Sequence, residues 1–352
     1  MMRSVGMGVG MGAAEPEAIS LVYPGLLDVE RRNLGKKESL IMAARFIPPA
    51  QLFSGARADV TPDRADLVVF GAPHGTPYPG IENENYAHAP DRLRAAVADE
   101  AAWPDHWDFD LGGPLLNDGG FAIADAGNLP TQSQDGPGNR DLIRAATAGI
   151  VANGAIPVMI GGDDSVPIPF IEALAPHGAL TIVQVDAHID WRDERRGEPM
   201  GFSSTMRRAS EMAHVERIVH VGIRGLGSAR RAEVDMARNW GAEIVTARDL
   251  HRDGIASVMR HIPAGATTMI TMDCDALDAG IMPAVMAPTP GGLTYYQSLD
   301  LIEAVVAQTN LVAFDMIEFV PERDLDGAAS VTAARILTHV LGRCARASSR
   351  LT

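Results

Sequence analysis

Cysteine is almost missing from this chain: the 352 residues hold two, Cys274 and Cys344. That excludes a disulfide scaffold and a zinc–thiolate cluster, and it fits a reducing cytoplasm. Long hydrophobic runs are lacking as well. No stretch approaches the ~18 apolar residues that a membrane span needs. Positive charge is in the minority, with a formal net charge of -15 and a pI of about 5.0. This argues against a phosphate-backbone ligand, and hence against nucleic acid. No internal repeat is visible, and the only low-complexity tract is the Gly- and Met-rich start from Met1 to Met11. That start faintly resembles a secretion signal. Its single charge and its glycines in place of leucines make a flexible or partner-contacting tail the better reading.

What is present is apolar content, 46% of the residues, enough for one large α/β domain or two small ones. Residues 1–60 show no clear alternation and read as an amino-terminal extension, with a possible helix around Glu38–Arg45 closed by Pro48-Pro49. From Asp66 onward short β-branched runs recur at Leu67–Phe70, Phe121–Ala124, Pro157–Ile160, Ile182–Val185, Arg217–Val221, Glu243–Thr246, Thr268–Met272 and Leu311–Met316. Alanine-rich amphipathic stretches separate many of them, among them Asn139–Ala152, Ile168–Ala175 and Ala229–Trp240. Continuous apolar strands alternating with helices predict an α/β fold, a parallel sheet of about eight strands covered by helices on both faces. In such sheets, sites form beyond the carboxyl ends of the strands. Asp163, Asp186, Asp273 and Glu318 all fall at or just past such ends.

The chemistry concentrates in two of these places. Asp186-Ala187-His188-Ile189-Asp190 follows Thr181-Ile182-Val183-Gln184-Val185, and Asp273-Cys274-Asp275 follows Thr268-Met269-Ile270-Thr271-Met272. Polar residues at alternate positions of an extended segment share one side. Several anions gathered at strand ends are prohibitively costly to bury unless a cation neutralises them. An oxygen-rich shell with one imidazole suits Mn²⁺, with Ni²⁺ or Fe²⁺ also compatible. Two such ions close together lower the pKa of a shared water and deliver hydroxide at neutral pH. Cys274, between two acids, reads as a small buried side chain, and Arg224 as a salt-bridged structural residue.

In order and spacing, Gly161-Gly162-Asp163-Asp164-Ser165, Asp186 to Asp190 and Asp273-Cys274-Asp275-Ala276-Leu277-Asp278 resemble the signatures of the ureohydrolase family, which includes arginase and agmatinase. Gly71-Ala72-Pro73, Val221-Gly222-Ile223-Arg224-Gly225, Pro290-Gly291-Gly292-Leu293 and Glu318-Phe319-Val320-Pro321 resemble further segments of that family. The resemblance implies a three-layer arginase-like fold over residues 61–352 and a hydrolase of a small guanidino compound: guanidine, an agmatine-like amine or a biguanide. Two divalent ions, Mn or Ni, would be held by Asp164, Asp186, His188, Asp190, Asp273 and Asp275. Asp186 and Asp273 would bridge the pair, His188 and Asp275 would complete one shell, and Asp190 would serve the other ion. Asp190 and Glu318 would be the catalytic residues, with Glu318 set against the substrate guanidinium. A trimer or hexamer is implied as well.

Three departures qualify the resemblance. Asp164 stands where the family carries a histidine ligand. No histidine lies between His188 and His214, where relatives often place a proton-shuttling one; Phe202-Ser203-Ser204-Thr205-Met206 occupies that loop, leaving His74 and His106 as substitutes to consider. Ala284-Val285-Met286-Ala287 replaces a glycine- and threonine-rich run, which predicts an apolar wall. These departures keep open a second reading. The chain would be a non-catalytic or weakly metal-binding subunit, supporting an active homologous partner as in the two-subunit metformin hydrolase. Trp103 and Trp107 read as either core residues or the lining of a loop near the site.

Overall fold

A computed structural model of the chain describes residues 46–348 except 82, 104, 118, 119 and 228. The tract Met1–Met11 and the expected helix at Glu38–Arg45 lie outside the described residues. All eight expected strands form: β1 (Leu67–Ala72), β2 (Ile123–Asn128), β3 (Ile156–Gly161), β4 (Leu180–Val185), β5 (Val215–Ile223), β6 (Glu243–Thr246), β7 (Thr267–Asp273) and β8 (Asn310–Ile317). They make one sheet in the order β2-β1-β3-β8-β7-β4-β5-β6, and every pairing is parallel.

The strands carry apolar residues at successive positions because both faces are covered; β1 and β4 are buried at every residue. On one face Val69, Ile160, Val185, Met272 and Phe314 meet Leu93, Leu301, Ile302 and Leu337. Those partners come from helices Ala89–Ala96, Tyr295–Gln308 and Ala328–Ser348. On the other face Phe70, Met159, Ile182, Met269 and Ile317 meet Ile143, Ile150, Phe170, Met206 and Ala237. These belong to helices Gly136–Ala152, Pro167–Glu172, Thr205–Ala209 and Arg231–Trp240. The result is the three-layer α/β architecture. Each fully buried core side chain such as Phe314 contributes about 1.5–3 kcal/mol through the water it sheds.

The helix expected at Ile168–Ala175 is shorter. It runs Pro167–Glu172, and Ala175–His177 tightens into a 3₁₀ turn. Pro176 has no N–H to donate back to Glu172, so the α-helical ladder cannot run on through it. Part of the segment read as an extension packs on the outer edge of the sheet: Ile47 pairs antiparallel with Asn128, and Phe53 is buried with its N–H donating to Asp125 at 2.9 Å. Both oxygens of Asp125 accept from buried Arg94, Oδ2 at 2.8 Å and Oδ1 at 2.9 Å.

Sheet order is what positions the site. β8 and β7 enter between β3 and β4, so the carboxyl ends of four adjacent strands face one crevice. Residues more than a hundred positions apart in sequence become neighbours there.

Candidate metal centre

Beyond β4 the chain turns sharply because the first acid binds its own backbone: Asp186 Oδ1 accepts the His188 N–H at 2.6 Å. Asp273 does the same after β7, accepting the Asp275 N–H at 2.6 Å. The two turns interlock, since Asp275 Oδ1 accepts the Ala187 N–H at 3.1 Å. His188 Nδ1 then lies 3.1 Å from Asp275 Oδ2 and 3.4 Å from Asp186 Oδ1. Two three-donor groups result, Asp186–His188–Asp275 and Asp164–Asp186–Asp190, each with its ligand atoms within 4.8 Å of one another. Asp186 is common to both. Asp273 stands beside them, lining the same cavity, but belongs to neither group.

Left to themselves these acids do not tolerate their charges. Burial, and then repulsion from Asp190 and Asp186, pushes Asp164 well above the ordinary carboxyl range. Asp190 is raised by burial and Asp186, Asp273 by burial and Asp275, and Asp275 by burial and Asp186. Asp186 alone goes down: burial opposes its charge, but hydrogen bonds from His188 and Asp190 outweigh it. On His188 burial is outweighed by its two carboxylate neighbours, and its pKa rises to about 11. Divalent cations would reverse this situation, neutralising the acids and taking the neutral imidazole as a ligand. Asp164 Oδ2 is buried with no hydrogen-bond partner among the described residues, as an oxygen reserved for a cation would be. The donor set therefore fits a pair of divalent ions, with the Asp164 carboxylate offered where a histidine was the family expectation.

Below the acids lies a buried polar row. Asp315, Thr271, Gln184 and His220 are in register on four adjacent strands, β8, β7, β4 and β5. The Gln184 amide donates to Asp186 at 2.7 Å and to Asp190 at 2.9 Å. Its carbonyl takes a hydrogen bond from His220 Nδ1, which fixes the direction of the amide. His220 packs edge-on against Trp191 at 5.8 Å, and burial pushes its pKa down to about 4. Gln184, bonded to Asp186 and Asp190, and His220, bonded to Gln184, are site neighbours that motif reading passes over. The signal was there: a glutamine among valines in β4 and a histidine among valines in β5.

Glu318 projects from the end of β8 into the same crevice. Its Oε1 accepts the Asp164 N–H at 2.9 Å, and its Oε2 accepts the Tyr86 hydroxyl at 2.5 Å. Burial and then the Asp163 charge raise it to about 8. Both Glu318 and Asp190 have positive φ, 64° and 38°, a conformation uncommon for non-glycine residues. Asp163 is structural. It accepts the Ser165 hydroxyl at 2.5 Å, and with the Asn83 amide nitrogen turned toward it, a second bond at 3.0 Å. Gly75 must be glycine here, because a Cβ would sit 2.1 Å from Ser165 Oγ.

The cavity above the acids, about 440 Å³, is walled by Tyr78, Tyr86, Phe202, Ile81, Met286 and Ala287, so the apolar wall expected from 284–287 forms through its last two residues. His188 is the only imidazole among its described lining residues. His74 is hydrogen-bonded to Thr131 Oγ1 at 3.0 Å instead, and His106 stacks on Trp103 in a different cavity. Trp103 and Trp107 neither join the core nor line the site; they are 54% and 60% exposed. Arg224 is structural and, among the described residues, makes no salt bridge; its guanidinium donates to the backbone carbonyls of Asp275, Leu277 and Thr289 at 2.6–3.1 Å. Among the described residues, no helix is long and apolar enough to cross a membrane.

The arginase family profile matches residues 65–342. An agmatinase from Pyrococcus horikoshii is 31% identical over 231 residues, 64% of this chain and 76% of its own length. A mitochondrial guanidino acid hydrolase from Homo sapiens is 31% identical over 225 residues, 62% of this chain and 63% of that protein. The solved structure of proclavaminate amidino hydrolase from Streptomyces clavuligerus is similar at a TM-score of 0.72 and 26% identity, covering 85% of this chain and 98% of its own.

Proposed function

The chain belongs to the arginase family of guanidino C–N hydrolases, and from that premise we propose that it hydrolyses a small guanidino compound to urea, or a related product, and an amine. The observation that carries the reading is the pair of three-donor groups sharing Asp186, set under a cavity into which the buried Glu318 projects. Asp164, Asp186, His188, Asp190, Asp273 and Asp275 would hold two divalent ions, Mn²⁺ or Ni²⁺. When bound, such ions supply activated water at neutral pH and stabilise charge as it develops.

The chain's own residues do the rest. Glu318, aimed by Tyr86 and the Asp164 amide, pairs with the planar guanidinium and turns its carbon toward the acids. Tyr78, Tyr86 and Phe202 exclude bulk water from the cavity. Water oxygen bonds to the guanidinium carbon, the bond from that carbon to the leaving nitrogen breaks, and the departing amine takes a proton passed on through Asp190. Gln184 holds Asp190 and Asp186 in place for this.

The test is urea release by the purified full chain, loaded with Mn²⁺ or Ni²⁺, from a panel of guanidino compounds. Asp186→Ala and Asp273→Ala should abolish release while circular dichroism stays unchanged. The acid at 164 and the lack of a second cavity imidazole favour one other reading, a supporting subunit for a homologous catalytic partner. That reading predicts no release by the chain alone, and release with the partner that survives both substitutions.

A further inference from the structure

We infer that the substrate of this site carries a carboxylate at the end remote from its guanidinium, and that Arg195, with Arg192 lining the same cavity, selects that tail. The inference rests on the guanidino-hydrolase reading and names the substrate class within it.

Charge in the cavity is segregated. Its described acids are all floor residues at the ends of β3, β4, β7 and β8, whereas the segment after β4 brings two arginines to the wall. The Arg195 guanidinium carbon lies 5.2 Å from the ring centre of Tyr78 and 5.7 Å from that of Phe202, two rings that themselves meet edge-on at 4.7 Å. A cation–π contact of this kind consumes no N–H, and among the described residues the Arg195 guanidinium makes no hydrogen bond. Among the described residues, no acid lies within ion-pair range of Arg195. The acids of its own loop are committed elsewhere: Asp193 pairs with Arg208 at 2.8 Å, Glu194 accepts the Gly197 N–H, and Glu198 accepts the Met200 N–H at 2.8 Å. In a chain with net charge -15, a cation held on aromatic faces and away from acids is arranged to meet an anion brought in from outside.

A ligand with its guanidinium on Glu318 would extend its other end along the aromatic wall toward this fork. A carboxylate there accepts parallel N–H bonds; an ammonium meets like charge; an alkyl end meets only the rings. The site therefore sorts guanidino acids from guanidino amines of the same length.

Three guanidines with the same four-carbon chain make the test: 4-guanidinobutyrate, butylguanidine and agmatine, with anionic, neutral and cationic tails. Calorimetric affinity for the Mn²⁺-loaded full chain and urea release are both measured. The guanidino acid should bind roughly tenfold to a hundredfold tighter than butylguanidine, the range of one charge-assisted contact, with agmatine weakest. Arg195→Gln should narrow the spread, Arg195→Glu should move the preference toward agmatine, and Arg195→Lys should keep its sign. Arg192→Gln, read separately, should narrow it to a smaller degree. Agmatine binding as tightly as the acid, no measurable binding by any of the three, or a spread unchanged in both glutamine variants would overturn the assignment. Tail-dependent binding without urea release would sink the hydrolase reading and leave the tail assignment standing. Faster release from agmatine than from the acid would do the reverse.

Discussion

Replacing Asp164 by Asn keeps the shape of the side chain and removes one charge from the acidic cluster, and its effect should change sign with metal. Asp164 has Asp186 and Asp190 within 4.8 Å. At that separation two unit charges repel by ~3.5 kcal/mol at an effective dielectric constant of 20. Two neighbours would give ~7 kcal/mol, but the metal-free protein avoids part of that by keeping the carboxyl protonated. Holding an acid of ordinary pKa 3.8 protonated at pH 7 costs about 4 kcal/mol, so this sets the ceiling. Without metal, Asp164→Asn should therefore stabilise the chain by about 1–4 kcal/mol, seen as a higher urea midpoint with an unchanged slope. With metal, the variant loses a ligand. It should forfeit stabilisation of about 3 kcal/mol, as expected for an ion supplied at a hundred times its Kd, and its ion content per chain should fall by about one. Denaturation with and without Mn²⁺, combined with metal analysis by plasma mass spectrometry, reads both halves. A variant less stable than the parent without metal, and equal to it in ion content, would refute the argument that Asp164 is a carboxylate kept for a cation.

Three further outcomes rest on the same buried polar groups. Burial raises Asp315 and Glu318 to about 8 each, and carboxylate neighbours raise His188 to about 11. Groups that bind protons more tightly when folded stabilise fully at low pH and lose that contribution as pH climbs through the folded value. His220 and His339, pushed down to about 4, act in the opposite sense but only below their ordinary 6.5. The Tm of the metal-stripped chain should thus fall between about pH 6.5 and 8.5, and a flat or rising Tm there would contradict the assignment. Gln184→Leu should lower metal affinity or activity about 10–100-fold, the usual effect of losing a partner that orients ligands. His220→Leu should give a smaller loss in the same direction, and a Gln184→Leu enzyme with unaltered metal affinity and kcat would remove Gln184 from the machinery.

Much of the fold was legible because its signal is local. A strand buried on both faces must be apolar at successive positions, and each of the eight runs read from sequence lies within or overlaps a strand. The candidate ligand cluster was legible for the same reason: acids and an imidazole at alternate positions just past a strand form a donor set that suits a cation. The departure at Asp164 needed no structure to be noticed. Other residues could not be assigned from one segment alone. His106 and His74 were plausible proton carriers until packing put one against Trp103 and the other on Thr131. Tyr86 meets Glu318 across 232 residues, and no local pattern announces such a pair. Asp186 and Asp273 look equivalent in sequence, yet only Asp186 joins both donor groups.

The sequence by itself determined the elements and the kinds of side chain at their ends, since backbone propensity and burial act over a few neighbouring residues. Sheet order was decided only in the tertiary structure. Inserting β8 and β7 between β3 and β4 set which acids share a crevice, the β4–β5 pairing aligned Gln184 with His220 beneath them, and loop packing placed Arg195 over Tyr78. Those neighbours are distant along the chain, and the hydrophobic burial that brings them together is non-directional, so it leaves no mark in any one segment.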